Sequence, residues 1–294
     1  MRGTAAQRYL TGIDRVVARL QGAITRGEPL PELAELAGVA HLSRFHFHRV
    51  YRALAGETVG QTVARLRLSR ALQLLADGGR VTDVALAVGY ESPQALARAF
   101  RARLDVTPAS LRGDADAAGA LRARLAAPAA EAIREGAPLQ VTVREVAPFE
   151  VVVLRQRGAF ADLDRGYGRL FDWALQMGLA ERLQRLVGLP HGDHRNLPPA
   201  AHVYDCAMAF DEDIPPPPAP MMRQQVGGGR YAVLRHVGPY EGLEDAFDRL
   251  LSEWWPSSGH DLREAPVFHH FLDDPEQVPA AILRADLHLP LGEG

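Results

Sequence analysis

One pattern occurs twice between Leu33 and Arg112, and it constrains this chain more than any other feature. The first copy reads LAELAGVAHLSRFHFHRVYRALAGETV (33–59) and the second VALAVGYESPQALARAFRARLDVTP (84–108). Each predicts a short apolar helix ending at Gly38 or Gly89, then a capping serine, Ser43 or Ser92. A second helix follows, with apolar residues three and four apart. Phe47, Val50, Tyr51 and Leu54 form its inner face in the first copy; Leu96, Ala99, Phe100 and Arg103–Leu104 fill the same slots in the second. Helix, glycine-containing turn, helix is the helix-turn-helix arrangement. Two copies in one chain point to it far more strongly than one would.

The flanking sequence supports both copies. Tyr9, Leu10, Ile13, Val16, Val17, Leu20 and Ile24 recur at helical spacing and predict an opening helix over about 7–25. Gly27 and Pro29 end it, and Pro31 fits the start of the next helix. Residues 61–76, with Val63, Leu66, Leu72 and Leu75 inward, read as an unbroken spacer helix. At 1.5 Å per residue it spans roughly 24 Å, comparable to one DNA turn of about 34 Å. Thr82 caps the next short helix, and Thr107-Pro108 opens a last turn ending near Arg112.

With the inner faces assigned, the outer faces carry Arg44, Phe45, His48, Arg49 and Arg52 in the first copy. Gln94, Ala95, Arg98 and Arg101 take that place in the second. Arg and Gln can grip guanine and adenine edges bidentately, so Arg49, Gln94 and Arg98 are candidate base readers. Phe45 either meets a thymine methyl or packs on the neighbouring helix. Arg65 and Arg67 suit phosphates, which position a protein without specifying sequence. Charge agrees with a DNA partner. All 33 basic residues are Arg, and residues 1–113 carry 16 of them against nine Asp plus Glu, whereas residues 114–294 carry 17 against 27. Only the first part is suited to a polyanion.

The spacer RxxxALxLL (67–75), AxxxGYxSxxxLxRxFR (85–101) and DVTPxxLR (105–112) together resemble the DNA-binding domain of AraC-family transcription regulators, over about a hundred residues. Asp105 stands where many members have Gly, and it tolerates a left-handed turn. The resemblance implies that the second helix of each unit enters adjacent major grooves of double-stranded DNA. Residues 114–137, rich in Ala with Gly, Asp and Glu, read as a linker, partly helical around Leu121–Leu125 and interrupted at Pro128. The expected domains are therefore 1–113, a linker 114–137, and 138–294.

From Leu139 the period shifts to strands. VVVLRQRGAFADLDRGYGRLFDWAL (151–175) aligns with YAVLRHVGPYEGLEDAFDRLLSEWW (231–255) at an offset of 80. Leu154/Leu234, Arg155/Arg235, Gly158/Gly238, Phe160/Tyr240, Leu163/Leu243 and Leu170/Leu250 share slots, and Tyr204-Asp205 answers Ala285-Asp286 one residue out of step. Two halves, each strand, strand–helix–strand–strand, predict an α+β domain with a pseudo-two-fold axis and a groove between the halves. Gly227-Gly228-Gly229 reads as a hairpin turn. LRHVGPYEGLEDAFDRL (234–250), PVFHHFLDDPEQVP (266–279) and ADLHLPL (285–291) resemble the GyrI-like effector-binding domain. That likeness implies a groove for small aromatic or cationic molecules, lined by aromatics around an acid. The candidates are Tyr167, Phe171, Tyr204, Trp254, Phe268, His269 and Asp286.

Other chemistries lack their signatures. His46 and His48 face different sides of a helix, His191 and His194 with Asp193 lack a fourth ligand, and His269 and His270 point to opposite faces of a strand, so no metal site is expected. No Gly-x-Ser-x-Gly or Walker pattern occurs, and Cys206 lies in an expected strand as a buried thiol. No catalytic residue and no cofactor is expected. No apolar run reaches the roughly 18–20 residues of a membrane span, and MRGTAAQRYL lacks a signal peptide's apolar core, so the expected location is the cytoplasm. The sequence predicts a multidomain regulator: an all-α double helix-turn-helix unit followed by the α+β effector domain, with double-stranded DNA, a small-molecule effector and RNA polymerase as partners. Small-molecule hydrolysis or protein interaction by the second half are the alternatives.

Overall fold

The computed structural model describes residues 5–42, 46–126, 139–158, 163–192, 198–211 and 214–292. Two compact units are distinguished, Gln7–Ile133 and one made mainly of Arg134–Gly294.

The first unit is helical. α1 (Ala5–Arg26) buries Ile13, Val16, Leu20, Ala23 and Ile24 along one stripe. α2 (Leu33–Val39) and α3 (Phe47–Ala55) form the first copy of the repeated pattern. α4 (Val59–Ala76) is the spacer, and it starts two residues earlier than the pattern predicts because a capping box forms: Gln61 N–H donates to Thr58 Oγ1 at 3.2 Å while Thr58 N–H donates to Gln61 Oε1 at 2.8 Å. Its 18 residues span about 27 Å. Val63 and Leu54, expected inward, are only half-buried.

α5 (Val81–Ala87) and α6 (Pro93–Leu104) form the second copy. Leu68, Leu72, Leu75, Val84, Val88, Leu96, Phe100 and Leu104 share one core. Ser92 caps α6, its Oγ accepting from Ala95 N–H at 3.2 Å, and Asp105 ends it in the left-handed conformation at φ 58°. Two expected starts shift. Arg80, not Thr82, occupies the N-cap of α5, and Pro31 precedes the N-cap Glu32 of α2. Ser43 lies outside the described residues.

The expected linker does not begin at residue 114. Asp114 caps α7 (Ala115–Arg124), its carboxylate accepting from Ala117 N–H at 2.9 Å. Ala118, Leu121 and Leu125 then complete the core of the second helix-turn-helix. Alanine-rich composition concealed this stripe, since Ala118 buries little area per residue yet fits close packing. Pro128 lies outside the described residues.

The second unit is an eight-stranded antiparallel sheet with helices. In chain order it contains β1 (Val141–Val146), β2 (Phe149–Arg157), α8 (Leu163–Gln176), β3 (Leu183–His191), β4 (Val203–Phe210), β5 (Met222–Val226), β6 (Gly229–Val237), α9 (Leu243–Arg249), α10 (Trp255–Ser258), β7 (Phe268–Phe271) and β8 (Arg284–Pro290). A π-helical turn, Leu250–Trp254, joins α9 to α10. β2 and β6, and the starts of α8 and α9, fall 80 residues apart, as the sequence repeat predicts. Phe160, one member of that repeat, lies outside the described residues.

Strand order is β1-β6-β8-β7-β3-β4-β2-β5. Each edge strand thus pairs with the other half: β1 with β6, and β5 with β2. The glycine run is therefore not a hairpin turn. It is one of two short connections, Ala147-Pro148 and Gly227-Gly228, that pass each other, with Gly228 N–H bonded to Val146 O at 3.0 Å. Close passage explains the composition. A Cβ on Gly227, whose φ is +81°, would sit 2.7 Å from Ala147 O. Gly227→Ala should therefore cost about 1–3 kcal/mol by urea unfolding, whereas Gly168→Ala, on an open helical position, should be neutral or stabilising by up to about 1 kcal/mol.

Candidate nucleic-acid interface and effector site

α6 presents an exposed polar stripe. Gln94, Arg98 and Arg101 are exposed at helical spacing, Ala95 is half-buried beside them, and Leu96, Phe100 and Leu104 occupy the opposite face. A capped helix with one face in the core leaves this stripe free to enter a groove.

α3 differs from the sequence expectation. Arg49 is 2% exposed and Arg52 6% exposed, so neither stands on an outer face. Phe47, Val50 and Tyr51 are buried as predicted, and His48 is half-buried with its ring 6.0 Å from that of Phe47. Arg44 and Phe45 lie outside the described residues.

Of the two expected phosphate contacts, Arg65 is buried, its guanidinium on Glu57 at 2.6 Å. Arg67 is half-buried, its guanidinium 5.8 Å from the Tyr90 ring centroid. Helical periodicity misplaced these arginines because their partners come from other elements. Glu57 lies across a turn from Arg65, and Tyr90 belongs to the second copy's turn.

In the sheet, alternation sorts the effector-site candidates by face. Tyr204 packs with Val152, Leu154, Leu170 and Cys206 on the α8 side. His269 is on the same side, its Nδ1 3.5 Å from the Tyr204 hydroxyl. Tyr167 joins them from α8, donating to Val187 O at 2.9 Å with its ring edge-on to Phe271 at 6.0 Å. These three converge where β3 meets β7, the strand pair in which Gly188 faces His269. Gly188 makes the room, since a Cβ there would lie 1.8 Å from the Tyr204 hydroxyl. Sequence reading did not single out Gly188, Phe271 or Tyr240, whose ring is 4.8 Å from that of Phe271.

The remaining candidates separate from this cluster. Phe268 lies on the opposite face, packed with Val151, Val153 and Val187 and stacked on His288 at 4.1 Å. Asp286 also turns away, two residues before His288, and its carboxylate is held by Arg235 through Nε and, at 3.1 Å, Nη2. It is not a free acid beside the aromatic cluster. Phe171 is 42% exposed on α8, and the Trp254 ring lies over His260 at 6.4 Å.

Asp286 has a repeat-related counterpart. Arg155 donates Nε and Nη2 to the two oxygens of Asp205 at 2.7 and 2.9 Å, and His191 Nε2 lies 2.7 Å from the same carboxylate. Arg155 faces Asp205 and Arg235 faces Asp286 in the strand registers, so both halves carry one cross-strand ion pair. The sequence alignment paired these arginines and offset the aspartates by one, as the ladders do.

Titration behaviour follows from the same surroundings. Burial works against charge on Asp205, but hydrogen bonds from Arg155 and His191 outweigh it and hold its pKa down at about 2. Burial pushes the Cys206 thiol up to about 12 and brings His288 down to about 4. Burial also raises the Tyr167 phenol well above its usual range. Among the described residues no group of three His, Cys, Asp or Glu side chains is placed to hold a metal ion.

Asp205 titrates near pH 2 folded and near 3.9 unfolded. Its stabilising contribution is therefore complete above about pH 4 and lost as pH falls towards 2. Asp205→Asn should be less stable than the parent at pH 7, and the gap in thermal midpoint should narrow below about pH 4. A gap independent of pH would remove the ion pair as its cause.

Both units match known families. Residues 139–291 match the profile of the GyrI-like small molecule binding domain, and residues 36–114 match a helix-turn-helix domain profile. The probable transcriptional regulator YgiV of Escherichia coli K12 is 28% identical over 130 residues, covering 44% of this chain and 81% of the relative. The HTH-type transcriptional activator AarP of Providencia stuartii is 28% identical over 101 residues, covering 34% and 73%. The cryo-EM structure of an EcmrR–DNA complex aligns with 90% of this chain and all of that one, at 13% identity and a TM-score of 0.46. Among the described residues no helix is long and apolar enough to cross a membrane. The chain belongs to the GyrI-like family, as a DNA-binding transcription regulator with an AraC-type helix-turn-helix region and a GyrI-like small-molecule-binding domain.

Proposed function

We propose that α6 supplies the sequence reading, through Gln94, Arg98 and Arg101, with Ala95 close enough to the groove to meet a thymine methyl. What carries this is one capped helix with those side chains on a single exposed stripe and its other stripe in the core. Arg44, Phe45 and His48 are the first copy's contacts in this reading, while Arg49 serves the fold. Bound at a promoter in the cytoplasm, the protein alters access or recruitment of RNA polymerase.

The effector seats against Tyr167, Tyr204 and His269, where β3 meets β7. Support comes from the Gly188 space now filled by the Tyr204 hydroxyl, which a ligand group can displace. Aromatic faces and hydrogen-bonding groups suit a small aromatic molecule. A cationic one loses its expected partner, because Asp286 is on the other face with Arg235. The site binds rather than turns over its ligand in this reading: the Cys206 thiol, at about 12, stays protonated, and the Tyr167 hydroxyl is committed to Val187 O. Effector binding then shifts the population of DNA-binding states by its differential affinity for them.

Two experiments test these assignments. Selection of the full chain on random-sequence duplexes gives a preferred site. Arg98→Ala should weaken binding to it by about 1–3 kcal/mol and relax preference at one position; equal loss on every duplex would reassign Arg98 to phosphate. Arg49→Ala should lower the thermal midpoint and leave base preference unchanged. For the effector, a thermal-shift screen should find aromatic compounds that stabilise the protein, by about 2.7 kcal/mol at a hundredfold excess over Kd. Gly188→Ala, by displacing the Tyr204 hydroxyl, should abolish that shift; a shift unaltered in this variant would move the site elsewhere.

A further inference from the structure

The turn between α3 and α4 contains a buried carboxylate on which several helices converge. Glu57 is 4% exposed. Arg65 of α4 grips it with Nη2 at 2.6 Å and Nε at 2.9 Å. The Thr62 hydroxyl of α4 donates to it at 2.8 Å, and Tyr51 of α3 is bonded to that hydroxyl at 2.7 Å. A carboxylate only accepts, so Thr62 must donate to Glu57 and accept from Tyr51. Arg103, in the last turn of α6, reaches the other oxygen at 3.9 Å. Arg65 Nη1 meanwhile donates to Leu125 O at 3.0 Å, at the end of α7. Glu57 thus meets α4 and α6 directly, reaches Tyr51 of α3 through Thr62, and reaches the end of α7 through Arg65.

We propose that Glu57 is a positioning residue that fixes the spacing between the two helix-turn-helix units on DNA. Stability alone would not require it, because apolar side chains of similar volume often hold such a junction as well as a buried ion pair does. What directional bonds add is geometry. Apolar contacts allow helices to slide, whereas hydrogen bonds from Thr62 and Arg65 fix the Glu57 carboxylate against α4, and its ion pair with Arg103 draws α6 to that fixed charge. Both units must match half-elements on one face of a duplex, so a slip between them costs affinity only at the correct spacing. The inference rests on the reading that both units contact DNA.

The test uses the full chain and the duplex it selects from random sequence, together with versions carrying one base pair inserted or deleted between the two protected elements. The parent should favour the selected spacing by about tenfold or more, the size of a single mismatch penalty. Arg103→Gln removes the α6 contact at a residue 31% exposed and off the Gln94–Arg98–Arg101 stripe, so the fold and base contacts remain. Its preference should fall to within about threefold, and Arg103→Lys should restore it. Glu57→Gln should act in the same direction if it folds by circular dichroism; if it does not, Arg103→Gln decides. Uniform weakening over all spacings, with the parent's ratio preserved, would overturn the positioning role and leave a structural one. A parent indifferent to spacing would instead overturn the two-unit reading on which this one stands.

Discussion

The two-residue period of a pleated strand decides what chemistry the effector domain can offer. Neighbours along β7 and β8 face opposite ways, so His269 joins Tyr204 and Tyr167 while Phe268 and His288 stack on the far side. Asp286 falls on that far side and is bound to Arg235. A shift of one residue in β7 would exchange His269 for Phe268 or His270, and one in β8 would bring Asp286 to the face of the aromatic cluster. Cation recognition in this fold is therefore a matter of parity as well as composition. In this chain the parity places Tyr204 and His269 on one face and Asp286 on the other.

Much of this was legible before any coordinates. Alternating glycines, caps and apolar spacings located both helix-turn-helix copies, because those signals act within one or two turns of the chain. The offset of 80 placed β2 against β6 and α8 against α9 for the same reason. Arg49, Arg52 and Arg65 were misread because helical spacing reports only which face a residue occupies on its own helix. Whether that face meets solvent depends on distant groups, such as Glu57 for Arg65. The GyrI-like resemblance groups Phe268 and Asp286 with Tyr204, whereas strand parity separates them. The sequence predicts helix only around Leu121–Leu125; the earlier start of α7 and its packing escaped because alanine carries little hydrophobic signal even when Ala118 is 1% exposed.

Charge counts in the helical unit need the same correction. Its excess of arginine suggested a basic surface, yet Arg49, Arg52 and Arg65 are 2%, 6% and 6% exposed. The field that a duplex meets comes from fewer groups, with Arg98 and Arg101 among the exposed ones.

The exchanged edge strands also govern how the domain can be made. β1 pairs with β6, and Val141 lies opposite Leu234, 93 positions later. At about 5–20 residues per second of synthesis, β1 waits roughly 5–20 s for its partner. Such distant pairing slows folding and leaves a lone strand exposed to wrong partners. The sequence of that strand suits the delay, because Thr142, Arg144 and Glu145 are solvent-facing polar residues, and charged side chains discourage strands from adding to one another. Neither half can close its own sheet, so the effector domain folds as a whole or not at all.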